Sequence, residues 1–321
     1  MSNTLVSLES VDLLHISGPD TDRFLQGQLT CNIDHLTSDH ALPGAYCNVK
    51  GRVIADFLAI RTGDDVLLVL HAGMAEILRL ALQKYAVFFK TNMSIVTHEW
   101  QSVGWLLGNT GTDAGSPPWL QAYEKFTCTR WPGGVSVTLP GPSPRLMLLI
   151  QADTADEHLT ELAAHGDAGG HIEWELAEIA AGLAHIVPAL SEQYTPQVLN
   201  YDLNGTVDFR KGCYTGQEVV ARMHYRGTAK KRMYRASTQG NESVSLDSQD
   251  KLMIVDANGK QCGEIISAVR RPGGSTDLLV ILPCTLADSA MESAATVFLT
   301  EPSKDGTTPA PAPLLIQALQ Y

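Results

Sequence analysis

The run VDLLHISG (11–18) is mostly apolar and stops at Gly18-Pro19, which predicts a strand. Asp20 or Thr21 can cap a helix through Phe24, Leu25 and Leu29. Between 45 and 61, the alternation in VIADFLAIR predicts extended chain. Gly63-Asp64-Asp65 is a turn before the apolar strand VLLVLH. Met74, Ile77, Leu78, Ala81 and Tyr85 recur at helical spacing and predict a helix over 74–88. The Gly- and Pro-rich stretches 108–120 and 132–144 read as loops, the second around a short strand. A strand over 145–151 and helices over 156–165 and 173–185 follow.

Helices fall between these strands without a strict strand–helix–strand rhythm, which favours α+β over a doubly wound sheet. After about Tyr234 the pattern changes. Short strands are predicted at 233–237, 251–256, 262–269, 278–282 and 296–300, with turns at Asn258-Gly259 and Pro272-Gly273-Gly274. No helical period stands out there, so a small all-β barrel or sandwich is expected. The Pro- and Ala-rich 302–313 segment reads as a tail crossing the surface. The expected organisation is an α+β region over 1–235, with no internal composition break, and a β domain over 236–321.

Composition narrows the function classes. The 321 residues carry 23 Lys+Arg against 35 Asp+Glu, a formal net charge of −12, and 44% are hydrophobic. That is enough apolar material for a core, while the acidic balance disfavours broad phosphate-backbone binding unless a local basic patch exists. No apolar stretch approaches the roughly 18–20 residues that span a bilayer. The N-terminus lacks a basic then apolar leader pattern, so a cytoplasmic protein without membrane partners is expected. The six cysteines form no CxxC pair, which argues against a self-contained zinc or iron–sulfur site.

One segment departs from ordinary globular text: DFRKGCYTGQE (208–218), continuing VVARMHYRG. Gly212 and Gly216 flank Cys213 and allow a sharp bend with little cover over the sulfur. Lys211 and Arg210 precede it, and Arg222 and His224 follow. Cationic neighbours favour a thiolate. The alternative is a shaped turn in which Cys213 only packs; a Cys213/His224 hydrolytic dyad is a further, weaker reading. Gln217 to Arg222 reads as a helix start with Glu218 in its first turn. Arg222, Arg226, Lys230, Lys231, Arg232 and Arg235 form a local basic run that is either a solvated face or an anion-binding one.

KGCYTGQE followed by AR…RG…KR resembles the signature of the YgfZ family, the folate-binding, tRNA-modification-linked branch of the glycine-cleavage T-protein superfamily. SGPDTDRFLQGQLTCNI (17–33), NVKGRVIADF (48–57), LQKYAVFFK (82–90) and the AAGL…YTPQVLNYD approach (180–202) resemble further family segments. The resemblance covers roughly residues 12–235, more weakly beyond.

The resemblance implies a T-protein-like α+β fold of two interleaved lobes and a C-terminal β domain, binding tetrahydrofolate or a derivative. It implies a folate-contacting Trp174, and Asp56 as a catalytic carboxylate near the transferred carbon. Lys211, Tyr214, Gln217, Glu218, Arg222 and Arg226 are implied folate-site residues, with Lys211, Gln217 and Glu218 also positioning Cys213. Two departures stand out: Val11 replaces a second folate tryptophan, and Ala180 a pterin-reading Glu. Cys213, absent from T-proteins, implies the iron–sulfur-linked branch. It would be the reactive residue or a transient cluster ligand with a partner, an iron–sulfur carrier or client protein. The implied function is a folate-binding accessory to iron–sulfur cluster assembly or repair that supports tRNA-modifying enzymes. The alternative is a folate-dependent one-carbon transferase or demethylase; direct tRNA binding by the 222–235 basic run is disfavoured by the net charge of −12.

Overall fold

The computed structural model describes residues 2–108, 116–121, 123–238, 252–292, 297–300 and 311–321. The chain packs as two units. The first comprises Met1–His171, His185–Pro196 and Tyr201–Arg226. The second comprises Ile172–Ala184, Gln197–Asn200 and Gly227–Tyr321.

The first unit holds β1 (Asn3–Ser7), β2 (Val11–Ser17), α1 (Thr21–Gln26), β3 (Leu42–Cys47), β4 (Val53–Thr62), β5 (Asp65–His71), α2 (Met74–Ala86), β6 (Asn92–Ile95) and β7 (Trp100–Leu106). It continues with β8 (Cys128–Trp131), β9 (Gly134–Leu139), β10 (Arg145–Gln151), α3 (Ala155–His165) and β11 (Gly166–Ala168). Two sheets result, ordered β3-β4-β5-β2-β6 and β11-β1-β7-β10-β9-β8. Apolar faces of both are buried; Leu13, Leu14, Ile60 and Leu68 in one, and Trp105, Leu148 and Ile150 in the other, are wholly inaccessible. α2 covers the first sheet with Met74, Ala75, Leu78 and Leu82 buried, and Ile77, Ala81 and Tyr85 flank that stripe half-buried. Its first turn is capped by the Asp12 carboxylate, which accepts from the Gly73 and Ala75 amides at 2.8 and 3.2 Å.

Most of α4 (His171–Ala181) belongs to the second unit, while α5 (Gln217–Arg226) closes the first. Then come β12 (Lys231–Thr238), β13 (Met253–Asp256), β14 (Gln261–Arg270), β15 (Thr276–Pro283), α6 (Cys284–Glu292), β16 (Val297–Thr300) and β17 (Ala312–Gln317). The six strands close a barrel in the order β12-β15-β14-β13-β16-β17. Leu278, Val280, Leu282, Leu299 and Ala312 help fill its core. The architecture is α+β with a C-terminal barrel.

Several element expectations need correction. The extended run over 45–61 is two strands joined by a tight turn at 48–52. The helix expected through Leu29 stops at Gln26, and Asp20 makes no side-chain cap. Its carboxylate instead accepts from the Lys90 amide at 2.8 Å. The helix expected to His185 ends at Ala181, where Gly182 takes φ 69°. α6 lies where no helical period stood out: only the small Ala287 and Ala290 of its nine residues are buried, so it carries no large apolar stripe. The expected surface tail at 302–313 ends instead in barrel strand β17, paired with β12 and β16; residues 302–310 lie outside the described residues.

Candidate functional site

The 48–52 turn is built by Asn48. Its carboxamide oxygen accepts from the Lys50 and Arg52 amides at 2.9 and 3.0 Å, and Gly51 takes φ 68°. The strand it feeds, β4, is lined by the 186–194 segment. The Val53 amide donates to Tyr194 O, the Glu192 amide to Val53 O, and Ser191 Oγ to Ile54 O, each at 2.8 Å. This pairing sets Asp56. One carboxylate oxygen accepts from the Ile186 amide at 2.6 Å, and the other lies 3.1 Å from His185 Nδ1. The Asp56 side chain is 12% exposed, so it is a held carboxylate rather than a mobile surface one.

The cysteine motif closes on the turn after α1. Lys211 is only 7% exposed, and its Nζ donates to Gln26 O, Leu29 O and Cys31 O at 2.8, 2.6 and 2.8 Å. Tyr214 is buried with its ring 5.3 Å from that ammonium, and its hydroxyl has no hydrogen-bond partner among the described residues. Thr215 Oγ1 donates to Gln28 Oε1 at 2.9 Å, and the Asp208 amide donates to Thr30 O at 3.0 Å. Thr30 Oγ1 donates to Thr206 O at 2.7 Å and accepts from the Ala45 amide at 2.8 Å. Burial pushes the Lys211 amine down to about 8 and raises the Tyr214 phenol. Burial likewise lifts the Cys31 thiol to about 12, against the pull of Lys211.

Cys213 itself is exposed, while Cys31, Cys47 and Cys128 are buried and Cys262 and Cys284 are half-buried. Of its two flanking glycines, only Gly216 takes a left-handed conformation, φ 81°, and a Cβ there would run into Asn48 O. Gln217 and Glu218 open α5. Val219 of that helix meets the 48–52 turn, since a Cβ on Gly51 would lie 2.9 Å from Val219 Cβ. Glu218, Arg222 and Arg226 are exposed along α5. The His224 ring stacks on Phe209, centroids 3.6 Å apart and 13° between planes. Cys213 and His224 share no hydrogen bond among the described residues, so the dyad reading has no geometric support.

The basic run does not form one free patch. Lys231 pairs with Glu264 at 3.0 Å, Arg232 donates to Gln197 O at 3.2 Å, and Arg235 pairs with Asp277 at 2.9 Å. In the second unit, α4 carries Trp174 and Glu178, one turn apart and both buried, with Ala180 half-buried. Val11 opens β2 in the first unit. The sequence reading assigned no role to Gln26, Gln28, Thr30, Glu178 or His185. The first three lie inside the FLQGQLT stretch (24–30), which was the available signal. Among the described residues no three His, Cys, Asp or Glu side chains group as metal ligands, and no helix is long and apolar enough to cross a membrane.

No protein-family model matches the chain. Over 99% of its length it superposes on the glycine cleavage system aminomethyltransferase T from Bartonella henselae, covering 86% of that chain, with a TM-score of 0.75 at 14% identity. The T-protein fold is therefore established. It is also 29% identical over 280 residues to the tRNA-modifying protein YgfZ of Klebsiella pneumoniae (strain 342), covering 87% of this chain and 85% of that one. With the protein of the same name from Yersinia pseudotuberculosis serotype IB (strain PB1/+), identity is 30% over 294 residues, covering 88% and 86%. With near full-length identity at that level, joined to the T-protein architecture, the chain belongs to the family of the tRNA-modifying protein YgfZ.

Proposed function

We propose that this protein is a tetrahydrofolate-binding accessory to iron–sulfur cluster assembly or repair, acting on enzymes that include tRNA-modifying ones. Cys213 is its reactive group. The exposure of Cys213 beside five better-covered cysteines carries this reading. A thiolate there can attack a disulfide or persulfide sulfur, or lend one ligand to a cluster held mainly by a partner. One thiolate is too few to hold a cluster alone. Folate supplies a one-carbon carrier when bound. The donor types on α4 fit such a ligand: an indole to stack on a ring, and a carboxylate at Glu178 where Ala180 offers only a methyl group. In a strain lacking the gene, wild-type protein restores thiolated tRNA and Cys213→Ser does not. Full restoration by Cys213→Ser, expressed at equal level, overturns the reading. Quenching of Trp fluorescence by tetrahydrofolate, weakened in Trp174→Ala, tests the folate arm separately.

A second reading, a folate-dependent one-carbon transferase, is favoured by the held carboxylate of Asp56. A fixed carboxylate can bind a cationic amine donor or take a proton from it. This predicts methylenetetrahydrofolate, with release of ammonia, from an aminomethyl donor with wild type and neither product with Asp56→Asn. In Asp56→Asn the Ile186 amide keeps a carboxamide acceptor and the fold survives. Absence of product across a donor panel with wild-type protein removes this reading.

A further inference from the structure

An ammonium has three N–H donors and no acceptor. In Lys211 all three are used, on Gln26 O, Leu29 O and Cys31 O. None is left for folate, for a substrate or for the Cys213 sulfur. Its side chain also lies away from water, so the motif lysine is not a ligand-binding cation. What it does hold is the turn after α1, and it is not the sole tie. Thr215 reaches Gln28, and the Asp208 amide reaches Thr30. Cys213 lies midway between Lys211 and Thr215, both fixed to the same six-residue turn. Lys211 and Tyr214 are buried and Thr215 is half-buried, while residues 212 and 213 are exposed.

We propose that Lys211 is a positioning residue: a buried strut that, through the carbonyls of the 26–31 turn, fixes where the loop presents the Cys213 thiol. The N-terminal LQGQLT stretch is then the second half of the cysteine site. Each of its polar residues has a place in that half. Gln26 braces the turn, its Oε1 accepting from the Ile33 amide at 2.9 Å and its Nε2 donating to Asn32 at 2.7 Å. Gln28 receives Thr215, and Thr30 ties the turn to both Thr206 and Ala45. The chemistry also selects the residue type at 211. A carboxamide has two donors, and a guanidinium is a planar fork that cannot point three protons at converging carbonyls. The inference rests on reading Cys213 as the reactive group, but its test does not.

A nitroxide attached to Cys213, with Cys262 and Cys284 changed to Ser, reports loop mobility directly. Spectra are taken well below the melting midpoint of each variant. With Lys211 present, an immobilised line shape is expected. Lys211→Met keeps the apolar stem, removes the donors and shortens the label's correlation time several-fold; Lys211→Arg does not restore it. Leu148→Ala, in the core of the other sheet, lowers stability without touching the loop and leaves the line shape as in wild type. An unchanged spectrum in Lys211→Met, or equal mobility in Leu148→Ala, overturns the proposal. If Lys211→Met does not fold, Thr215→Val decides by the same criterion, with partial mobility expected and an unchanged spectrum overturning it. A harmless Cys213→Ser in the tRNA assay would remove the functional reading and leave this result standing.

Discussion

The Nζ of Lys211 lies 2.6 Å from the carbonyl oxygen of Leu29, a residue 182 positions earlier in the chain. This contact joins two sequence segments that look independent when read along the chain. Both are buried at the junction: Leu29 is inaccessible, and Leu29 also bridges to Tyr46 of β3. The cysteine loop is therefore built on the first sheet rather than hung from its surface.

Thr30 should be a stability determinant of this junction. Thr30→Val keeps the shape and removes a hydroxyl that both donates to Thr206 O and accepts from the Ala45 amide in an inaccessible position. Leaving those two groups unpaired costs about 1–3 kcal/mol for each. Urea unfolding with an unchanged m-value and a lower midpoint is the expected result. An unchanged midpoint would mean that the backbone shifts to satisfy both groups.

Gly216 and Gly212 should respond differently to alanine. Gly216→Ala places a Cβ against Asn48 O in a left-handed backbone and costs about 2 kcal/mol or more. Gly212 has open space where a Cβ would go, so Gly212→Ala should be within about 0.5 kcal/mol of wild type. Thermal melts of the two variants side by side check this. Equal losses would contradict the placement of the turn.

Strands with regular alternation or tight turn residues were legible in the sequence: β2, β5, β10 and the barrel strands from β12 to β16. The helix α6 was not, because alanines at its buried positions carry too little hydrophobic contrast. Barrel closure by β17 was not, because the preceding Pro- and Ala-rich stretch resembles a tail. At the site, the motif glycines and the exposed cysteine were legible as a bend. For Lys211 the resemblance implied a part in positioning Cys213, but not how, because a lysine beside an exposed thiol looks solvated until the carbonyls that surround it, 180 to 185 residues away in sequence, are known. The same holds for His185, whose relation to Asp56 spans 129 residues.

Thiol labelling should resolve a single fast site. Burial pushes Cys31 and Cys47 up to about 12 and Cys128 up to about 11, so near pH 8 they stay protonated as well as covered. Cys262 is raised by burial too, and Cys284 Sγ lies 3.2 Å from Ala229 O. Native protein treated briefly with iodoacetamide and digested should carry label at Cys213 first. Cys213→Ser should lose the fast phase and keep the slow ones. A second cysteine labelling at a similar rate would mean that the native packing opens far more often than the burial implies.

The barrel should lose stability in acid through Asp277. Its carboxylate is 3% exposed and accepts from Arg271 Nε at 2.9 Å, Arg271 Nη2 at 2.7 Å and Arg235 Nη2 at 2.9 Å. Burial alone would raise this carboxyl, but the hydrogen bonds from Arg271 and Arg235 outweigh it and hold it below its ordinary 3.8. The folded form thus binds fewer protons than the unfolded one between the two values. The stabilisation is fully present above the unfolded value and disappears as pH falls through the folded one. Hydrogen exchange of the β12 and β15 amides should therefore be flat between pH 7 and 5, once corrected for intrinsic rates, and lose protection below about 4. Asp277→Asn should cost about 2–3 kcal/mol at neutral pH, because both guanidinium groups lose a charged acceptor. It should also flatten the acid limb. If the variant keeps the wild-type acid limb, another carboxylate sets the acid stability of the barrel, and the two arginines serve Asp277 only as local hydrogen-bond donors.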